Sequence, residues 1–442
     1  MMDTFIAKFS EAAKAAGIGK LEFYFETLKK SSADVYQNKV WSTSKSEVTA
    51  CLIQGEYEGY NGNIYVEDYA EEFFKEEIAQ LKESAIFLKK PFISVPLFDH
   101  EKKESFELID QRELAELLRS AEEDALRAHP DLHKFDSFTA TETIRAIRIQ
   151  DELGHIMEDE SKNAFFRIHA EARNGSGVMT AGAEVVTRGI DQLDFARAAN
   201  EAATEAVDLL YAEPLQGGTY PVILKNKVFT EMFMMFGSTL AADTVRRKMS
   251  KFAGKLDEQI ASPIVNITEE PELDEGVNNR AFDDEGVPTS KKEIVKDGVL
   301  KTYLYNLEEA KLAGCQSTGN AFKPDIKSRP RVSVSNMVFV GQEKEREDLM
   351  AEMGDGLYIT NCDGMFAGAD VISGDFSLIS RGYIIKDGRK AGSVRQITIA
   401  GNYFDMLKKI KAIANDYLAS GDKGGAYMAP SVYVGKLVVS GL

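Results

Sequence analysis

Only three cysteines occur in 442 residues, Cys51, Cys315 and Cys362. They are widely spaced and odd in number, which excludes a disulfide framework and fits reduced thiols. No apolar run approaches the roughly 20 residues that a membrane-spanning helix needs. Met1 to Gly17 holds no basic segment followed by an apolar block, so no signal peptide is expected, and the expected location is cytoplasmic. Basic clusters are also missing. Lys102-Lys103 and Arg246-Arg247-Lys248 are short, while the formal net charge is −18. A duplex binder needs a basic face to displace counterions, so direct nucleic-acid binding is not expected. There is no Gly-x-Ser-x-Gly elbow, no phosphate-binding P-loop and no Cys-x-x-Cys. The five histidines, His100, His129, His133, His155 and His169, all precede residue 213. Only His129 and His133 are four apart, and Pro130 opposes a helix through them.

What is present suits a globular chain with a core. Of the residues, 44% are hydrophobic and 28% charged. The length predicts two or more domains. The best linker is Glu213-Pro214-Leu215-Gln216-Gly217-Gly218, which divides the chain into residues 1–213 and 219–442.

Hydrophobic periodicity predicts helices over 3–16, 68–87, 109–128 and about 191–212 in the first part, with Asp191 as N-cap. Alternating stretches at 21–25, 35–41, 48–54, 63–67, 136–151, 163–174 and 183–188 predict strands. In the second part a strand at 221–224 precedes a helix at about 226–250, striped by Phe229, Met232, Phe233, Phe236 and Leu240. From 263 onward the pattern is mostly β, interrupted by a helix at about 403–417 and closed by a strand at 431–440. Gly421 to Tyr427 reads as a flexible loop. The expected fold class is α+β: an N-terminal domain of mixed or antiparallel sheet with flanking helices, then a β-rich C-terminal domain.

Several motifs occur in a fixed order: Pro221-Val222-Ile223-Leu224, Gln259-Ile260-Ala261-Ser262-Pro263, Phe282-Asp283-Asp284-Glu285-Gly286-Val287-Pro288-Thr289 and Ser317-Thr318-Gly319-Asn320. After them come Gly374-Asp375-Phe376-Ser377, Ile397 to Asn402, Asn415-Asp416 and Met428-Ala429-Pro430-Ser431. Together they resemble the TldD/PmbA family, most strongly from about residue 213 to the end. That family supplies intracellular metallopeptidases built from two related subunits, one carrying His-Glu-x-x-x-His on a helix. This chain has no such motif and resembles the PmbA (TldE) subunit type, also labelled modulator of DNA gyrase or peptide maturation protein.

Alignment to the zinc helix places Phe233, Met234 and Ser238 at the motif positions. Zinc takes thiolate, imidazole or carboxylate ligands, and Phe and Met offer none. The resemblance therefore implies no cofactor in this chain, zinc in a TldD-like partner, and cleavage of unfolded or extended peptides by the pair. The chain would form part of the peptide groove, as a heterodimer or homodimer. Asp375, Phe376, Ser377, Gly401 and Asn402 are groove candidates, because Gly permits close approach and short polar side chains can bond a peptide backbone. Asp283, Asp284 and Glu285 form an acidic cluster that reads as a turn or as ligands for a hard cation. Two alternatives stand beside this reading: a protein-binding regulator, and an autonomous hydrolase using Cys362, for which no base is identifiable.

Overall fold

The computed structural model describes residues 2–175, 177–422 and 424–441. The chain opens with α1 (Met2–Ala15) and three antiparallel strands, β1 (Leu21–Tyr36), β2 (Lys39–Tyr57) and β3 (Tyr60–Val66). Helices α2 (Phe74–Leu88) and α3 (Gln111–Ala128) follow, then β4 (Leu132–Asp151), β5 (Ile156–Asn174), β6 (Gly177–Thr187) and α4 (Phe195–Leu210). After the Pro-Gly segment come β7 (Gly218–Leu224), α5 (Asn226–Gly237) and the short α6 (Ala242–Arg246). The remainder is mainly strands: β8 (Ile267–Glu269), β9 (Lys292–Lys296), β10 (Val299–Leu300), β11 (Ala321–Phe322), β12 (Arg331–Val332), β13 (Asn336–Phe339), β14 (Gly356–Asp363), β15 (Asp375–Lys386), β16 (Arg389–Asn402), β17 (Ala412–Ile413), β18 (Leu418–Asp422), β19 (Gly425–Ala429) and β20 (Val432–Ser440). Among them lie α7 (Leu307–Ala313), α8 (Arg346–Met353), α9 (Met365–Gly368) and α10 (Tyr403–Lys409). The class is α+β, as the alternation and helical stripes predict.

One sheet runs through both halves in the order β10-β9-β8-β13-β19-β18-β6-β5-β4-β1-β2-β3. The period of two decides its faces. Phe23, Phe25, Ala33, Val35, Phe138 and Phe166 point to one side, where α1 to α4 cover them. Tyr24, Ile147, Ile149 and Met157 point to the other, where Leu97, Phe282 and Ile326 cover them. The C-terminal half thus lays its loops on the back of the N-terminal sheet. The second sheet has the order β16-β15-β14-β7-β20-β17, and an additional β16–β20 pairing closes it into a barrel. α5 lies between the barrel and the C-terminal end of the long sheet. Its buried residues include Val228, Phe229, Met232, Phe233 and Phe236.

Several boundaries differ from the sequence expectations. The stretch 35–41 is not one strand: Gln37 and Asn38, both at positive φ, turn the chain between β1 and β2. The helix expected over 226–250 stops at Gly237. Thr239 Oγ1 donates to the Phe236 carbonyl, and Ala241 turns extended to bridge Leu304. The helix at 403–417 stops at Lys409, because Ala412 and Ile413 pair with β20. The N-cap of α4 is Asp194, whose side chain accepts from the Arg197 N–H, and not Asp191, which sits in a preceding 3-10 turn. The expected loop at 421–427 is largely the hairpin of β18 and β19, buried over Gly425–Ala429; Lys423 lies outside the described residues.

Candidate functional site

The helix that the resemblance aligns with the zinc helix is α5, and its buried face is committed to packing. Phe233 is 1% exposed and meets Phe339 and Tyr427 edge-on. Phe236 stacks on Tyr403 at 4.1 Å. Gly237 is required because a Cβ there would stand 2.4 Å from the Tyr427 ring. Met234 and Ser238 reach an open cleft of about 600 Å³ at the C-terminal end of the helix. Arg331, Ser333, Gly421, Gly425 and Tyr427 also line it. Its charges are Arg331, which is exposed, and the Asp243–Arg247 pair at 2.5 Å. A phenyl ring, a thioether and one hydroxyl do not make a zinc ligand set. Among the described residues no group of three or more His, Cys, Asp or Glu is arranged to hold a metal ion.

The five proposed groove residues lie together elsewhere, where β15 and β16 pair. Asp375 stands opposite Asn402, and Phe376 opposite Gly401. Asn402 donates to Asp375 at 2.8 Å and caps α10, accepting from the Phe404 and Asp405 N–H groups. Phe376 is buried in the barrel core, and a Cβ on Gly401 would stand 2.9 Å from its ring. Those contacts assign Phe376, Gly401 and Asn402 to packing and capping. Asp375 and Ser377 remain exposed.

Cys362 sits on β14, 7% exposed, with its sulfur 3.3 Å from Ser380 Oγ. Burial pushes its thiol up to about 12. A nucleophilic cysteine needs the opposite shift and a base beside it, so this environment keeps the sulfur inert.

The acidic turn is densely hydrogen-bonded and joins the two halves. Asp283 accepts from the backbone N–H groups of Glu285, Val287 and Ala321 at 3.0 Å each. Asp284 accepts from Tyr24 Oη at 2.8 Å, Arg280 Nη2 at 2.7 Å and the Lys323 N–H at 2.7 Å. Arg145 donates to Glu26 at 2.6 Å and to Tyr24 Oη at 3.0 Å. Burial opposes ionisation of Asp284, yet Arg280, Arg145 and Lys323 outweigh it and hold the carboxyl well below the usual range. Asp283 and Asp284 are therefore saturated by protein donors. The sequence pattern showed the turn; Tyr24, Arg145, Arg280 and Lys323 as its partners left no sequence signal. Ser317-Thr318-Gly319-Asn320 has a parallel role: Asn320 Nδ2 donates to both oxygens of buried Glu269, at 2.8 and 3.0 Å.

A long mixed sheet and a closed barrel packed on one apolar helix define an architecture seen in solved structures. A candidate modulator of a DNA gyrase from Thermotoga maritima MSB8 superimposes with TM-score 0.86 at 27% identity, over 100% of both chains. TldE from Thermococcus kodakarensis has the same fold, with TM-score 0.88 at 20% identity over 100% of both. The model of the PmbA/TldA metallopeptidase C-terminal domain matches residues 217–441, and the chain belongs to the PmbA/TldD family. A metalloprotease PmbA from Escherichia coli O157:H7 is 34% identical over 196 residues, 44% of this chain and 41% of that protein. A metalloprotease TldD homolog from Haemophilus influenzae is 29% identical over 234 residues, 52% of this chain and 48% of that protein. The chain spans about half the length of the curated relatives it matches.

Proposed function

We propose that this chain is the non-metal subunit of a TldD/TldE-type cytoplasmic peptidase. The observation that carries the reading is the state of α5, where Phe233 is sealed in the core and Met234 and Ser238 face a cleft whose carboxylate, Asp243, is paired with Arg247. A zinc-bearing TldD-like partner would supply the chemistry on unfolded or extended peptides. This chain would supply wall and backbone: Arg331, Ser333 and Tyr427 line the cleft, and short β12 offers an edge for strand addition. The arrangement binds and orients; nothing in it moves a proton or activates water.

The test is association. The purified chain is sedimented alone and with a zinc-bearing TldD-type subunit. The reading expects a stoichiometric mixed complex and zinc that travels only with the partner. A chain that holds stoichiometric zinc by itself, or that never joins the partner, contradicts it.

A further inference from the structure

A second cavity, of about 510 Å³, opens where the N-terminal sheet meets the C-terminal loops. Its volume is in the range of small-molecule sites. Glu22 of β1 and Glu285 of the acidic turn, both half-buried, form its inner wall. Glu285 accepts from the Leu307 N–H at 2.9 Å, whereas the Glu22 carboxylate has no hydrogen-bond or ion-pair partner among the described residues. Asn61 also lines the cavity, and its buried Oδ1 has no donor. Behind the wall, Lys323 is 1% exposed, with its ammonium 3.7 Å from the centre of the Tyr24 ring.

The mouth has the opposite sign. Lys311 and Arg329 are exposed there and have no acidic partner among the described residues, while Lys90 is 3.8 Å from Glu308. Pro91, Ile93 and Leu312 add hydrocarbon to the lining. Unpaired acceptors inside and unpaired cations outside suit a ligand with an ammonium at one end and a carboxylate at the other. A nucleotide or free phosphate would meet carboxylates at the inner wall. Burial, with Glu285 adding to it against the pull of Lys323, pushes Glu22 up to about 7, and burial likewise pushes Glu285 up to about 7. A cation arriving between them would favour ionisation of both.

We propose that this cavity binds a short peptide with free termini, its α-ammonium against Glu22 and Glu285 and its carboxylate at Lys311 and Arg329. The proposal is independent of the subunit reading, because it needs only this chain.

Calorimetric titration of the full chain with trialanine at pH 8 tests it, beside N-acetyl-trialanine, trialanine amide and 1,5-diaminopentane. Trialanine should bind saturably at one site. Blocking either end, or the substitution Arg329→Ala, should weaken binding roughly ten-fold or more, since each removes a charge-assisted contact. Glu22→Gln should do the same, and affinity for trialanine should fall as pH drops from 8 to 6. Arg329 is exposed, so its variant should unfold at the wild-type temperature and tests the contact apart from the fold. No saturation with trialanine, equal binding of the blocked peptides, tighter binding of the diamine, or indifference to Arg329→Ala would each overturn the proposal.

Discussion

Two buried regions of this molecule solve opposite problems. Around α5 the interior is hydrocarbon: Phe229, Met232, Phe233 and Phe236 fill the space between barrel and sheet. At the seam between the halves the interior is ionic: Glu26, Arg145, Arg280 and Asp284 are all at most 3% exposed. The apolar region is the helix that the resemblance aligns with the zinc helix of the family, and its Phe and Met side chains are hydrocarbon and thioether. The ionic region is rich in groups capable of chemistry, yet Asp283 and Asp284 are held by donors from distant segments. Titratable residues by themselves therefore do not mark a catalytic site. What matters is whether their bonding capacity is spent on the fold.

The comparison breaks most severely at Arg280. Arg280→Met leaves Asp284 short of a buried cation, and removal of one partner of a buried ion pair costs about 3–5 kcal/mol. Urea unfolding should show that loss. Rough equality with wild type would mean that the network does not hold the halves together. In the apolar region, Phe233→Ala should cost about 3–4 kcal/mol through the cavity it opens. It should leave unchanged any contribution to peptide cleavage measured below the unfolding transition.

A smaller effect separates the two kinds of seam carboxylate. The carboxyl of Glu22 is raised in the folded state, to about 7. Such a group favours folding while protonated, and that contribution fades as pH rises toward 7. Glu22→Gln should accordingly stabilise the chain by about 1 kcal/mol at pH 8 and by nothing below pH 5. Asp284 is shifted the other way, so its contribution is present at neutral pH and is lost only as strong acid protonates it. Denaturant midpoints at pH 5 and pH 8 measure the Glu22 trend, and midpoints carried into strong acid measure the Asp284 one.

The smallest effect concerns thiols. Cys315 is exposed, while Cys51 and Cys362 are buried. A thiol reagent should titrate one group quickly in the native chain and the other two only on unfolding. Rapid reaction of Cys362 would reopen it as a nucleophile.

Much of the fold was legible because burial on one face imposes alternation. Phe138, Ala140, Phe166 and Ile168 show it. The signal fails where neither face is buried. Residues 39–48 of β2 are exposed throughout, so their strand character leaves no alternation to mark the turn at Gln37-Asn38. It fails again in β18 and β19, where glycines that resemble a loop sit in close-packed strands. A Cβ on Gly421 would stand 2.2 Å from the Gly425 carbonyl oxygen. The apolar character of α5 was plain in its stripe, since a packing helix announces itself by period. Asn402 carried a legible cap signal, an Asn directly before the helix at Tyr403, which its candidacy for the groove obscured. The seam was illegible for a different reason: Tyr24 and Asp284 bond across 260 positions, and no local pattern encodes such a pair.

The central claim is that this chain contributes surface and not chemistry. The direct measurement is cleavage of an unstructured peptide by the chain alone, by a zinc-bearing TldD-type subunit alone, and by the mixture, with and without chelator. The account predicts no cleavage by this chain, and chelator-sensitive cleavage by the mixture that exceeds the partner's own. Robust cleavage by this chain alone would contradict it.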